Sequence, residues 1–136
     1  QAQIKAMRSV AGTLRLELAQ YRELEAFAQF GSDLDEATQA QLARGARLME
    51  VLKQPQYQPL PVEKQVLIIV TATSGRLDDL PVNSVTQFER ELYGHFDQNH
   101  PDILDAIQST GALDDETREK LLAAVDSFKE TFKKTL

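Results

Sequence analysis

The sequence predicts an all-α domain, a helical bundle that opens with a long helical hairpin. Three observations carry that prediction. Apolar residues return every three or four positions through most of the 136 residues, the spacing that gives a helix one buried stripe. The prolines fall between the periodic stretches, and capping residues stand where several of them begin. Only one short segment, residues 66–70, has a composition that favours a strand, and a lone central strand would have nothing to pair with.

The first helix is read over residues 1–30. Ile4, Met7, Ala11, Leu14, Leu18 and Tyr21 form its apolar stripe, and Leu24, Phe27 and Phe30 continue it slightly rotated. At 1.5 Å per residue such a rod is on the order of 40 Å long, so later segments can pack along it. Gly12 costs about 1 kcal/mol in a helix interior, and a close helix crossing is the usual reason to tolerate it. The register stops at an elbow, Gly31-Ser32-Asp33-Leu34-Asp35-Glu36, where glycine suits a left-handed cap and Asp35 can accept the free amides of a second helix.

That second helix runs over about residues 36–53, with Leu42, Met49 and Leu52 as core candidates. Small residues at Ala43, Gly45 and Ala46 let it approach the first closely. Pro55, Pro59 and Pro61 then make residues 54–61 an extended connection. Over residues 66–70 five apolar residues in a row show neither helical nor strand period. Pro61 ahead of the run, Glu63 in its first turn and Gly75 after it favour a buried helix from Val62 to about Thr73. Val66 is a core residue in that reading.

After a punctuated link at residues 76–81, Val85, Phe88, Leu92 and Phe96 form a further stripe. Pro101 interrupts its register and starts a short helix carrying Ile103, Leu104 and Ile107, which Gly111 ends. Asp114 caps a final helix whose apolar positions are Leu121, Val125, Phe128 and Phe132. The core list is completed by Leu14, Leu18, Phe88, Leu92, Leu121, Val125 and Phe128.

A polypeptide of this length is one ordinary domain, able to bury about two-thirds of its extended surface. With 42% hydrophobic and 26% charged residues it falls in the soluble globular class. The absence of cysteine excludes disulfide stapling, and no apolar run is long enough to span a membrane. Net charge is −6, with the acids concentrated over residues 78–119, while Lys5, Arg8, Arg15 and Arg22 balance the first helix. No basic cluster interleaved with aromatics is present, and Lys129, Lys133 and Lys134 suit a helix C-terminus, so nucleic acid is not an expected partner. Gln1 opens directly into periodic sequence without initiator Met or targeting segment, which reads as a piece excised from a longer protein.

Catalytic chemistry is mostly missing. Gly31, Gly45 and Gly111 are too scattered for a phosphate cradle. His95 and His100, five apart and next to Asp97 and Asp102, read as a solvated pair on an acidic surface rather than a metal site. No serine has an evident histidine and carboxylate partner. At the elbow, Asp33, Asp35 and Glu36 read first as a capped, solvated helix start; the sharper reading is a projecting contact in which Leu34 touches a partner and the acids meet its basic side chains. Such rim pairs contribute about 0–1 kcal/mol each, which suits a transient or sliding partner.

The runs Gln3-Ile4-Lys5-Ala6-Met7, Val10-Ala11-Gly12-Thr13-Leu14-Arg15-Leu16-Glu17-Leu18-Ala19-Gln20-Tyr21-Arg22-Glu23 and Phe27-Ala28-Gln29-Phe30-Gly31-Ser32-Asp33-Leu34-Asp35 closely resemble the alpha subunits of rotary F-type ATP synthases. The likeness continues through Arg44-Gly45-Ala46-Arg47-Leu48 and Leu52-Lys53-Gln54-Pro55-Gln56-Tyr57 to the acidic last third. It implies that residues 1–136 are that subunit's C-terminal domain, a bundle of about six or seven helices, without the barrel and nucleotide-binding domains. It also implies helix over residues 66–70. Expected partners are the beta and gamma subunits and other head and stalk subunits. The expected stalk contact is Ser32, Asp33, Leu34, Asp35 and Glu36, weaker than the more acidic elbow of beta. Gln54 and Gln56 resemble two glutamines beside the adenine of a non-hydrolysed nucleotide, whose edge an amide can both donate to and accept from.

By the same resemblance the isolated piece holds no cofactor and no metal, and it is not an enzyme. The full-length subunit takes ATP or ADP with magnesium, and the whole assembly is a proton-translocating ATP synthase. That assembly is peripheral on the cytoplasmic face of a bacterial plasma membrane, or on the equivalent thylakoid or mitochondrial face, and this part of it is soluble and not itself inserted. The rival reading is a freestanding helical adaptor with no rotary role.

Overall fold

The computed structural model describes residues 5–28, 35–52 and 61–136, apart from the side chain of Leu52. It contains six α-helices: α1 (Lys5–Ala28), α2 (Glu36–Leu52), α3 (Val62–Thr73), α4 (Val85–Asn99), α5 (Pro101–Thr110) and α6 (Asp115–Lys133). A short 3-10 turn, Val82–Ser84, precedes α4, and the described residues contain no strand. The all-α bundle read from the sequence is therefore the fold.

Helix α3 is the apolar run over residues 66–70, and its position explains why it shows no period. It packs against α1, α2, α5 and α6, so all of its sides meet protein and Val66, Leu67, Ile68, Ile69, Val70, Thr71 and Ala72 are all buried. A helix surrounded in this way needs no polar stripe. The buried Thr71 hydroxyl donates to the Leu67 carbonyl at 2.7 Å, which satisfies it within the helix. Pro61 supplies the start, its carbonyl accepting from the Lys64 and Gln65 amides, and Gly75 supplies the stop at φ +88°, a conformation that side chains disfavour.

Around α3, the α4 stripe of Val85, Phe88, Leu92 and Phe96 is buried, as are Ile103, Leu104 and Ile107 of α5. Leu121, Val125 and Phe132 complete that side from α6, while Phe128 is half-buried against it. Phe88 stands edge-on to Phe132 at 5.0 Å between ring centroids and tilts against Phe128 at 5.4 Å, geometries in which ring edges meet ring faces. Pro101 occupies the first turn of α5, and Gly111 closes that helix at φ +68°.

The hairpin differs from the sequence reading in several places. Leu14 and Leu18 are half-buried against the core rather than inside it; in the rotated continuation of the α1 stripe Leu24 is half-buried, Phe27 is 61% exposed and Phe30 lies outside the described residues. On α2 the buried side chains are Leu48 and Val51, whereas Leu42 and Met49 are half-buried. The reason is that α2 meets α1, α3 and α4 together, which turns the Leu48 and Val51 edge inward. The buried state of Leu52 falls outside the described residues. The close approach of α1 and α2 does occur at Gly45, where an added Cβ would lie 2.7 Å from the Cβ of Tyr21. Among the described residues no crossing occupies Gly12, since none of them lies within 4 Å of its Cβ position.

The two ends of the hairpin are unequal. The buried residues of α1 are Ala6 and Val10, near its start, and those of α2 lie at Gly45 and beyond. None of residues 11–28 or 35–44 is fully buried. The described residues nearer the elbow are therefore less deeply buried than those at the base of the hairpin.

Candidate functional site

Side chains around the hairpin base tie α1 and α2 to the link after α3. Arg44 of α2 reaches Asp78 in the turn after α3 with two short contacts, Nη2 to Oδ2 at 2.8 Å and Nε to Oδ2 at 3.1 Å. It also meets Glu17 of α1 at 3.4 Å. Arg47 donates from Nε to the Leu80 carbonyl at 2.8 Å and from Nη1 to the Ala43 carbonyl at 2.8 Å. A planar guanidinium suits this work because its donors are held in a rigid fork. Three elements thus share two arginines, and the tyrosine over Gly45 adds an apolar wedge.

At the elbow itself, Asp35 accepts from the Thr38 amide at 2.8 Å and so caps α2. Hydrogen bonds from Thr38, side chain first and backbone second, hold the Asp35 carboxyl below the usual carboxylate range. Asp35 and Glu36 are both exposed. Ser32, Asp33 and Leu34 lie outside the described residues, as do Gln54 and Gln56, so only two of the predicted contact residues have a described setting. Asp114 repeats the capping arrangement at α6, accepting from the Thr117 amide at 2.8 Å.

The histidine pair is arranged differently from the sequence reading. Because α4 ends at Asn99 and α5 begins at Pro101, the backbone turns at His100 and brings its ring within 5.2 Å of His95. Neither is simply solvated: both are half-buried, with His95 over Phe128 at 4.9 Å and His100 near Phe96 at 5.2 Å. Burial first, and His100 second, push the His95 pKa below its ordinary value. No group of three metal-ligating side chains occurs among the described residues.

Ion pairs tie the other helices together. Lys64 of α3 meets Asp97 of α4 at 2.8 Å, and Arg76 meets Asp126 of α6 at 3.1 Å. Asp79 receives Lys129 and Lys133 of α6, each at 2.8 Å. Sequence reading assigned these lysines to the helix end alone; their partner lies about fifty positions away and leaves no local sign. At the far end from the elbow, a shallow cavity of about 340 Å³ is lined by Lys5, Ser9, Asp114, Asp115 and Arg118 among others. Among the described residues no helix is long and apolar enough to cross a membrane.

Comparison with known proteins agrees with this architecture. Residues 3–128 match the family described as ATP synthase alpha/beta chain, C terminal domain. The chain is 59% identical over 131 residues to the ATP synthase subunit alpha of Aquifex aeolicus (strain VF5), covering 96% of this chain and 26% of that protein. It is also 59% identical, with the same coverage, to the ATP synthase subunit alpha of Lactobacillus helveticus (strain DPC 4571). It thus spans about a quarter of the length of these relatives. With a helical bundle, a capped hairpin and this extent of match, the protein belongs to the family of C-terminal domains shared by the alpha and beta subunits of ATP synthase, and its likeness within that family is to the alpha subunit.

Proposed function

We propose that this domain has no catalytic activity of its own and that, within an ATP synthase, it packs against neighbouring beta subunits and guides the rotating central stalk with its elbow. The supporting observation is a hairpin whose base is held more firmly than the residues flanking its elbow. Its base is held by Arg44, Arg47 and the Tyr21 wedge, while residues 11–28 and 35–44 remain at least partly exposed. Exposed carboxylates at its tip suit a moving partner, because screened pairs at a wet rim are individually weak and easily exchanged. In this reading Ser32, Asp33, Leu34, Asp35 and Glu36 face the gamma subunit, and Gln54 and Gln56 lie beside the adenine of a nucleotide whose phosphates and magnesium are held by another domain of the subunit.

The test uses the assembled synthase. Asn caps a helix about as well as Asp, so Asp33→Asn with Asp35→Asn removes charge while keeping the helix start. A fall in torque or in coupling efficiency supports the contact; unchanged coupling makes these residues caps and removes the stalk role. The isolated domain is expected to hydrolyse no ATP, and calorimetric binding of ATP with a Kd on the order of micromolar would contradict the proposal.

A further inference from the structure

We infer that the outward face of α1 is a docking surface for an acidic amphipathic helix of another polypeptide. Arg8, Arg15 and Arg22 stand at intervals of seven residues. Seven residues fall about 20° short of two full turns, so the three guanidinium groups share one edge of the helix, about 10 Å apart along its axis. All three are exposed, and among the described residues none of them meets a carboxylate. Of the other cations, Arg44, Lys64, Arg76, Lys129 and Lys133 have acidic partners. An unmatched basic edge on a protein of net charge −6 is therefore a local feature rather than an overall excess.

Roughly a third of a turn away lie Leu16 and Phe27, each 61% exposed. Between these two edges sits Gly12, with open space where a side chain would be. Glycine weakens a helix interior, and among the described residues no neighbour uses the room it leaves. Lys5 and Glu23 on the same face offset one another. The complement is a helix that brings carboxylates to the arginine edge at the same seven-residue repeat, sets apolar side chains against Leu16 and Phe27, and approaches most closely at Gly12. An anionic bilayer fits less well, because the apolar edge has only two large side chains and the protein as a whole repels negative surfaces. The occupant's chemistry follows from this face alone, whichever assembly holds the domain.

The probe is a fluorescein-labelled amphipathic peptide of about 20 residues, with Glu at seven-residue intervals beside a Leu stripe. Its controls are a scrambled sequence and a Lys-for-Glu version. Anisotropy with the full 136-residue protein is expected to show binding of the acidic peptide only, weaker in about 0.5 M than in about 0.05 M NaCl. Arg8→Gln with Arg15→Gln and Arg22→Gln weakens binding about tenfold or more, as three lost rim pairs should. Leu16→Gln, a separate single change, also weakens it, and circular dichroism identifies any variant that has not folded. The inference is overturned by absence of binding, by binding that the triple and Leu16 variants leave unchanged, or by arginine-dependent binding to vesicles containing phosphatidylglycerol. Sedimentation showing that the protein dimerises through Arg8, Arg15 and Arg22 would also overturn it, since the occupant would then be a second copy.

Discussion

Tyr21 of α1 covers Gly45 of α2 so closely that a Cβ at position 45 would stand 2.7 Å from the tyrosine's own Cβ. The obstruction includes the base of the side chain as well as its ring, and the Cβ cannot shift without moving α1. Gly45→Ala is expected to cost about 1–3 kcal/mol by overpacking, only partly offset by the roughly 1 kcal/mol that alanine gains over glycine in a helix. Gly12→Ala, with open space around it, should instead stabilise the fold by about 0.5–1 kcal/mol. Urea midpoints for the two variants check this opposition; equal effects would mean that the Tyr21 contact does not hold the hairpin.

Phe88 is fully buried and touches both Phe128 and Phe132. Truncating it to alanine removes a large side chain from a place the helices cannot close over, with an expected loss of about 3–5 kcal/mol. Val82→Ala, at a residue 38% exposed, should stay within about 0.5 kcal/mol of the parent. Denaturant unfolding followed by circular dichroism compares them.

Asp79 gives acid stability a defined source. Burial raises its pKa, but hydrogen bonds from Lys129 and Lys133, with the Lys129 charge, outweigh that and hold it at about 2. A carboxylate depressed from 3.8 to about 2 stabilises the fold above its ordinary pKa, and that contribution disappears as pH falls through this interval. Because the group is about half exposed, screening limits the effect to less than about 1 kcal/mol. Asp79→Asn should lower stability at neutral pH and narrow its gap from the parent between pH 3.8 and about 2. Melting temperatures measured across that range decide the matter.

His95 titrates below its ordinary pKa of 6.5 because it is buried and, secondarily, because His100 is its neighbour. Its contribution to stability is therefore present above 6.5 and declines as pH falls and the ring takes a proton. His100→Gln removes the second cause and should move the His95 pKa upward while leaving most of the depression in place. An NMR titration of the His95 ring reads this directly; no movement would mean that His100 does not influence it.

Helix ends were the most legible part of the sequence because their signals are local. Asp35, Asp114, Pro101, Gly75 and Gly111 act through their own backbone positions, and each stands where its chemistry predicts. The run at residues 66–70 was harder to read, since burial on all sides erases the period that distinguishes helix from strand. The link after α3 was legible as a break, but its contacts were not. There Leu77 and Leu80 are buried, while Asp78 and Asp79 find Arg44, Lys129 and Lys133, contacts that depend on distant elements meeting. His95 and His100 met for a related reason, as Pro101 redirects the backbone and the five-residue spacing no longer follows one helix. Of the elbow, the sequence revealed the cap at Asp35.

Enclosure of α3 by four other helices also sets a clock for the whole domain. Its amide protons from Val66 to Ala72 can meet deuterium only when the surrounding rods have parted, so they should be among the last to exchange and should report the global unfolding free energy. The less enclosed amides of residues 11–28 and 35–44 should take up the label sooner, while this central mast stays dry.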